Sequence, residues 1–146
     1  MLKKLLQSVR EYKKDSILSP VFVTFEVIME VIIPLLMAKL IDLGIEKGSM
    51  SNITKWGIIL MVCCIISLNF GALSGKHAAY ASAGFAKNLR HDMYYKVQDY
   101  SFKNIDKFST ASIVTRLTTD VTNIQNAYQM CIRVAVRAPV MLIFSL

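Results

Sequence analysis

Cysteine and histidine chemistry is nearly absent from this sequence, and that rules out several functions at once. The chain holds three cysteines, Cys63, Cys64 and Cys131, and two histidines, His77 and His91. Cys63 and Cys64 are adjacent within an apolar run and have no histidine at ligand spacing, so they read as small hydrophobic side chains. Neither a metal site nor a disulfide framework is expected. The histidines lie fourteen apart with no evident acid beside them, and read as solvated or interfacial. Acidic residues are also scarce: 10 Asp and Glu stand against 17 Lys and Arg. No Gly-x-x-x-x-Gly-Lys-Ser/Thr loop and no acidic metal-binding strand occur, so these residues cannot bind and hydrolyse ATP by themselves. No catalytic residue and no resident cofactor is expected. No arginine-rich ribbon with interleaved aromatics is present either, which excludes nucleic acid as a partner.

What is plentiful is apolar sequence. Hydrophobic residues make up 54% of the 146, with a mean hydropathy of +0.45, above the usual soluble range of roughly 45–50%. Trp56 to Gly75 contains no charged residue over 20 positions, the clearest membrane span in the chain. Trp56 at its start suits an interfacial aromatic. Ile17 to Ala38 is a second span; its 22 residues rise about 33 Å as a helix. Pro20 sits near its entrance, and Pro34 is expected to kink it. Lys39 to Lys55 is a turn with Gly44, Gly48, Ser49, Ser51 and Asn52, where Asp42 is solvated or paired with Lys39. The Asn52-Ile53-Thr54 sequon carries no weight.

Charge placement gives the orientation. Lys3, Lys4, Arg10, Lys13 and Lys14 precede the first span. Lys76, Lys87, Arg90, Lys96, Lys103, Lys107 and Arg116 follow the second. Few charges lie between the spans, as in a hairpin with both ends in the cytoplasm. Residues 1–15, with Leu2, Leu5, Leu6, Val9 and Tyr12 at helical spacing, form an amphipathic helix lying in the membrane interface.

Glu26 and Glu30 stand out inside the first span. They are four apart and share a helix face. An acid in hydrocarbon costs on the order of 2–3 kcal/mol, so both should face the bundle interior or a wet cavity. Two readings stay open: a polar lining of a translocation pathway, or structural pairing with a base on a neighbouring helix. Gly71, Gly75, Gly84, Ala72, Ala78, Ala79, Ala81, Ala83 and Ser82 form a small-residue stripe that allows close helix approach. Phe85, Leu89, Met93 and Val97 recur every four residues, so the second helix continues as an amphipathic extension over 76–108.

Next comes a capped polar segment. Ser109 or Thr110 can cap a short helix with Ala111, Ser112, Ile113, Val114, Thr115, Arg116 and Leu117 in its body. Thr118, Thr119 or Asp120 can cap the following helix, with the Asp120 carboxylate favoured at its positive end. Arg116 and Asp120 can pair or brace the turn. Val121 to Arg137 is again amphipathic, with Ile124, Tyr128, Ile132 and Ala135 near one face. The apolar residues after Ala138 are too few to cross a bilayer, so a third span, from about residue 120, is expected to be truncated, and the chain to be part of a longer one.

The segment Phe108 to Ile124, with its Ser109-Thr110 entry, Arg116-Leu117 and Asp120, resembles the transmembrane domain of ABC exporters of the multidrug, peptide and lipid type. Leu40-Ile41-Asp42 is a weaker match. The family often has Gly and an acid where this chain has Ala111 and Ser112. The resemblance implies an all-α membrane fold, a partial type-1 exporter bundle: elbow helix 1–15, spans 17–38 and 56–75, extension 76–108, coupling helix 109–117 and the start of a third span. It implies a permease that forms the translocation pathway, with Glu26 and Glu30 as candidates for that pathway. Residues Ser109 to Leu117 and Asp120 would contact a nucleotide-binding domain, absent here, that holds ATP and Mg2+. A homo- or heterodimer in a bacterial-type plasma membrane, in contact with lipid, follows from the same resemblance. The rival expectation is a two-span sensor with a cytoplasmic helical signalling hairpin.

Overall fold

A computed structural model describes residues 8–98 and 110–145, with side chains for all of these but 110, 111 and 145. Two long helices and a shorter pair account for nearly all of it. Helix α1 (Lys13–Leu40) and helix α2 (Met50–Gln98) are antiparallel neighbours joined by a π-helical turn, Ile41–Ile45. Helix α3 (Thr110–Thr115) passes through a second π-helical turn, Arg116–Asp120, into helix α4 (Val121–Ser145). Among the described residues there is no strand. Three stretches are long and apolar enough to cross a membrane: Arg10–Ile45, Met50–Gln98 and Ser112–Phe144. Large apolar side chains such as Ile17, Leu35, Met61, Leu68 and Ile143 are exposed on the outside of the bundle. This is the expected arrangement of an all-α membrane bundle whose solvent is lipid.

The α1–α2 turn is closed by its own polar groups. Asn52 Nδ2 donates to the Leu43 carbonyl at 3.1 Å, satisfying an acceptor at the end of the first helix. Gly44 is buried where a Cβ would stand 2.8 Å from Ile53 Cγ1, and Gly48 adopts φ 59, so each glycine answers a specific demand. Lys39 Nζ lies 5.4 Å from the centre of the Trp56 ring, while Asp42 is exposed. The cation therefore meets the aromatic face rather than Asp42.

Part of the small-residue stripe on α2 forms the contact surface of the bundle, while Ala72, Ala79 and Ala83 are exposed. Ser74, Ala78, Ala81, Ser82 and Gly84 are buried. Ser19 Oγ donates to the Ser74 carbonyl at 3.2 Å, and Ser82 Oγ to Gln129 Oε1 at 3.3 Å. A Cβ on Gly84 would fall onto the Tyr12 ring. Immediately beyond, Val9, Phe85, Ala86, Leu89 and Val121 form a core cluster, with Tyr12, Met93, Ile124 and Tyr128 packed on it. Phe85 stacks on Tyr128 with centroids 4.7 Å apart. The four-residue repeat from Phe85 to Met93 thus faces α4 and the entry to α1.

Four expectations change. The N-terminal amphipathic helix lies outside the described residues over 1–7. The visible remainder does not run straight through to residue 15: Arg10 has φ 38, Arg10–Tyr12 is a 3-10 turn, and Lys13 already belongs to α1. Arg10 and Ser8 bond Asp92 at 2.8 and 2.9 Å, and Asn88 Nδ2 donates to the Ser8 carbonyl at 2.9 Å, which hold the bend against α2. No cap separates α3 from α4. The backbone stays right-handed helical at Thr115 and Val121, and Thr118 Oγ1 donates back to the Val114 carbonyl at 2.7 Å. Threonine hydroxyls bond the preceding turn here, while full burial of Val121 keeps the helix running. Ser109 lies outside the described residues.

His77, thought to be without a partner, has Nδ1 2.7 Å from Asp15 Oδ1 and stacks on Phe22 at 5.5 Å. His91 lies 4.6 Å from the Tyr95 ring, with Nδ1 3.8 Å from Asp92 Oδ1. Finally, the third span, expected to be truncated, is long and apolar enough to cross a membrane. It runs from Ser112 to Phe144 with Arg133 and Arg137 inside it.

Close packing at Gly84 has a measurable consequence. Gly84→Ala should lower the stability of the detergent-solubilised protein by about 1–3 kcal/mol, the usual cost of overpacking. Thermal unfolding should show the loss, and adding Tyr12→Ala should return part of it. A Gly84→Ala protein as stable as the parent would show that the helix and the Tyr12 ring do not meet as described.

A candidate pathway site built on two acids and two arginines

Glu26 and Glu30 project from one face of α1 because an α-helix places residues four apart above one another. Arg133 and Arg137 repeat that spacing on α4. Helices α1 and α4 run in the same direction, with Ser16 beside Tyr128 and Glu30 beside Arg137, and this brings the two faces together. Arg137 Nη2 donates to both carboxylate oxygens of Glu30, at 2.6 and 2.8 Å, a bidentate pair. Arg137 Nη1 reaches Glu26 Oε1 at 3.4 Å. One guanidinium therefore spans two acids on the neighbouring helix.

Glycine on α2 makes room for this. A Cβ on Gly71 would stand 3.1 Å from Glu26 Oε1, so a larger residue would push the carboxylate away. Glu26 is the more enclosed acid, with 12% of its side chain exposed against 29% for Glu30. Its second oxygen, Oε2, is buried and has no hydrogen-bond partner among the described residues. The Ser74 hydroxyl shares that condition.

Both open readings of Glu26 and Glu30 have structural counterparts. The acids pair with a base across the helices, and they also line cavities. One cavity, of about 400 Å³, lies between α1 and α4, with Val23, Glu26, Gln129, Met130, Arg133 and Arg137 among its walls. A second, of about 550 Å³, has Glu26, Glu30 and Arg133 on its wall together with residues of α2. The arginines were the residues that sequence reasoning missed. Their signal was the matched four-residue spacing of acids in one apolar stretch and bases in another.

The other candidate residues lie apart from this site. Among Ser112 to Leu117, Ile113 is half-buried, and Val114 is exposed at 53%; Arg116 and Asp120 are exposed. Arg90 Nη2 donates to Thr122 Oγ1 at 3.2 Å, which places the π-helical turn beside the far part of α2. Side chains of Thr110 and Ala111, and all of Ser109, fall outside the described residues. No group of acids, histidines and cysteines that could hold a metal occurs among the described residues.

Replacing Arg137 by Gln leaves two acids in an apolar surrounding without their base. The cost should be about 2 kcal/mol, between the small value of an exposed pair and the larger one of a fully buried pair. Thermal unfolding of the Arg137→Gln protein should show it, and Glu30→Gln in the same chain should recover most of it. Additive losses in the double variant would mean that the pair does not interact.

The description "ABC transporter transmembrane region" matches residues 16–146. The chain is 33% identical over 141 residues to the uncharacterized ABC transporter ATP-binding protein YfiB of Bacillus subtilis, covering 97% of this chain and 25% of that protein. An uncharacterized ABC transporter ATP-binding protein of Mycobacterium tuberculosis is 26% identical over 148 residues, covering 97% of this chain and 24% of its own length. The chain spans about a quarter of the length of these relatives. With three helices fit to cross a membrane, paired charges inside them and this match over nearly its whole length, the chain belongs to the ABC transporter transmembrane-region family, as part of a multi-pass membrane permease.

Proposed function

We propose that these residues are the N-terminal part of an ABC exporter permease, acting as a homo- or heterodimer in a bacterial plasma membrane with the N-terminus in the cytoplasm. In this reading Glu26 and Glu30 face the translocation pathway. A nucleotide-binding domain of the same or a partner chain binds ATP and Mg2+ and pushes on the segment from Ser109 to Leu117 and Asp120.

The observation that carries the reading is the length of α2. Its 49 residues rise about 74 Å, against a hydrocarbon thickness of about 30 Å. The uncharged run ends at Gly75, and Val121 packs against α2 in the same cluster as Leu89, about 20 Å further along the helix. The α3 segment therefore sits well beyond the apolar run, at the end where lysines and arginines concentrate. There it presents exposed Val114. Because α3 continues through the π-helical turn into α4, a displacement applied to it travels along one continuous helix into the membrane. The sensor alternative gives no reason for α4 to carry two arginines back into register with the acids of α1.

Two measurements address this. Cysteine placed at Ser49 should react with a membrane-impermeant thiol reagent in intact cells, and cysteine at Thr115 should not; the reverse pattern would invert the topology. In the complete transporter, Val114→Asp should leave ATP hydrolysis within about twofold of the parent while lowering transport about tenfold or more, as expected when an apolar anchor at an interface receives a charge. Unchanged transport would remove α3 from the coupling path.

A further inference from the structure

Arg133 is the charged group that the ion-pair network leaves over. Arg137 takes both acids, whereas Arg133 has no hydrogen-bond or ion-pair partner among the described residues. Its guanidinium turns toward α2: a Cβ on Gly75 would lie 4.0 Å from Arg133 Nη1. With Glu26 and Glu30 it lines the cavity of about 550 Å³, whose other walls include Ile33, Leu68 and Gly71. That cavity is an open groove on the bundle surface, with Leu68 73% exposed, and it combines apolar walls with a few placed polar groups, as small-molecule sites do.

The signs on this wall select the ligand. An arginine that is always charged and weakly hydrated favours an anion with two acceptor oxygens. The acids on the same wall disfavour a second negative charge and favour a cation. Glu26 is held by Arg137 only through a long contact of 3.4 Å, and Glu30 remains partly exposed. A ligand with a single charge satisfies one part of the wall and is repelled by the other. We propose that the cavity between α1, α2 and α4 binds an amphipathic zwitterion. Its phosphate or carboxylate lies on Arg133, its ammonium lies toward Glu26 and Glu30, and its apolar body lies against Ile33 and Leu68. A zwitterionic bilayer lipid and a transported amphiphile share this chemistry. The inference deepens the permease reading and rests on its membrane placement, but not on ATP coupling.

The test uses the complete protein in phosphatidylglycerol nanodiscs without nucleotide, with empty nanodiscs as background. Three probes carry the same dodecyl tail: a phosphocholine, a phosphate and a trimethylammonium. The parent should bind the phosphocholine about tenfold more tightly than either singly charged probe, the difference made by one charge-assisted contact. Arg133→Gln should shift the preference to the trimethylammonium probe. Glu30→Gln, which also releases Arg137, should shift it to the phosphate. A partly unfolded variant lowers binding of all three probes alike, so the order within each protein carries the result.

Equal binding of the three probes by the parent, or an unchanged order in Arg133→Gln, would overturn the proposal. Leu68→Trp, at an exposed position on the cavity wall, should weaken every probe; unchanged binding there places the probes elsewhere and also overturns it. Replacing the nanodisc lipid with phosphatidylethanolamine distinguishes the source. Competition with the phosphocholine probe identifies a bilayer lipid as occupant. Absence of competition, with ATP-driven export of the probe from vesicles, identifies cargo. Intact binding without export supports the site and counts against the exporter reading instead.

Discussion

Charge in a medium that does not solvate it is the constraint on which this bundle depends. Each ionised side chain in the apolar stretches carries a penalty of about 2.5–3.5 kcal/mol on insertion scales. The chain places Glu26 and Glu30 deep in its first apolar stretch and Arg133 and Arg137 deep in its third. Arg137 offsets part of that penalty by bridging Glu26 and Glu30. It thereby fixes the axial register of α4 on α1, since a slip by one helical turn would put the guanidinium beside different residues. Gly71 on α2 is the complement of that register, leaving space at the Glu26 carboxylate.

Further along, the bundle is held by different means. Beyond the uncharged run, water can solvate charges, and apolar burial takes over. Val9, Phe85, Ala86, Leu89 and Val121 close together, with Tyr12 and Tyr128 beside them. Ser16 Oγ meets the Tyr128 hydroxyl at 2.9 Å, and Asp92 collects Ser8 and Arg10. The bundle is therefore pinned at two levels, by ion pairing in the apolar part and by a small core outside it. Such a construction suits an element that transmits movement. The core level fixes how the helices meet, and the charged level fixes their register within the membrane.

Much of this was legible in the sequence, for physical reasons that can be named. Apolar length disclosed the first two spans, because the bilayer imposes a minimum number of residues. The repeat from Phe85 to Met93 disclosed a packed face, because helical period and burial are tied. Among the small residues of α2, Ala78, Ala81, Ser82 and Gly84 disclosed the contact surface, whereas Ala72, Ala79 and Ala83 face outward. What failed did so where local chemistry was outvoted by packing. Thr118, Thr119 and Asp120 are good caps in isolation, yet burial of Val121 keeps the helix continuous through them. Arg133 and Arg137 look like the end of a water-exposed helix when α4 is read alone. Only the partner acids, more than a hundred positions earlier, show why they can lie inside an apolar stretch. His77 was misjudged in the same way, since Asp15 is 62 positions away.

Membership in the ABC transporter transmembrane family, two pinned levels and a continuous helix from α3 into α4 combine into one account. Helices held in fixed register move as a body, and in the proposed function the protruding end of that body is where a nucleotide-binding domain acts on it. The charged contact between α1 and α4 holds this arrangement in place. Its most direct test is charge reversal in the complete protein, read as membrane-inserted, folded yield and thermal unfolding midpoint. Glu30→Arg and Arg137→Glu should each lower both sharply, and the two together should recover most of the loss, because exchanging the signs preserves the pair. Single reversals that are tolerated, or a double reversal no better than the worse single one, would contradict the account.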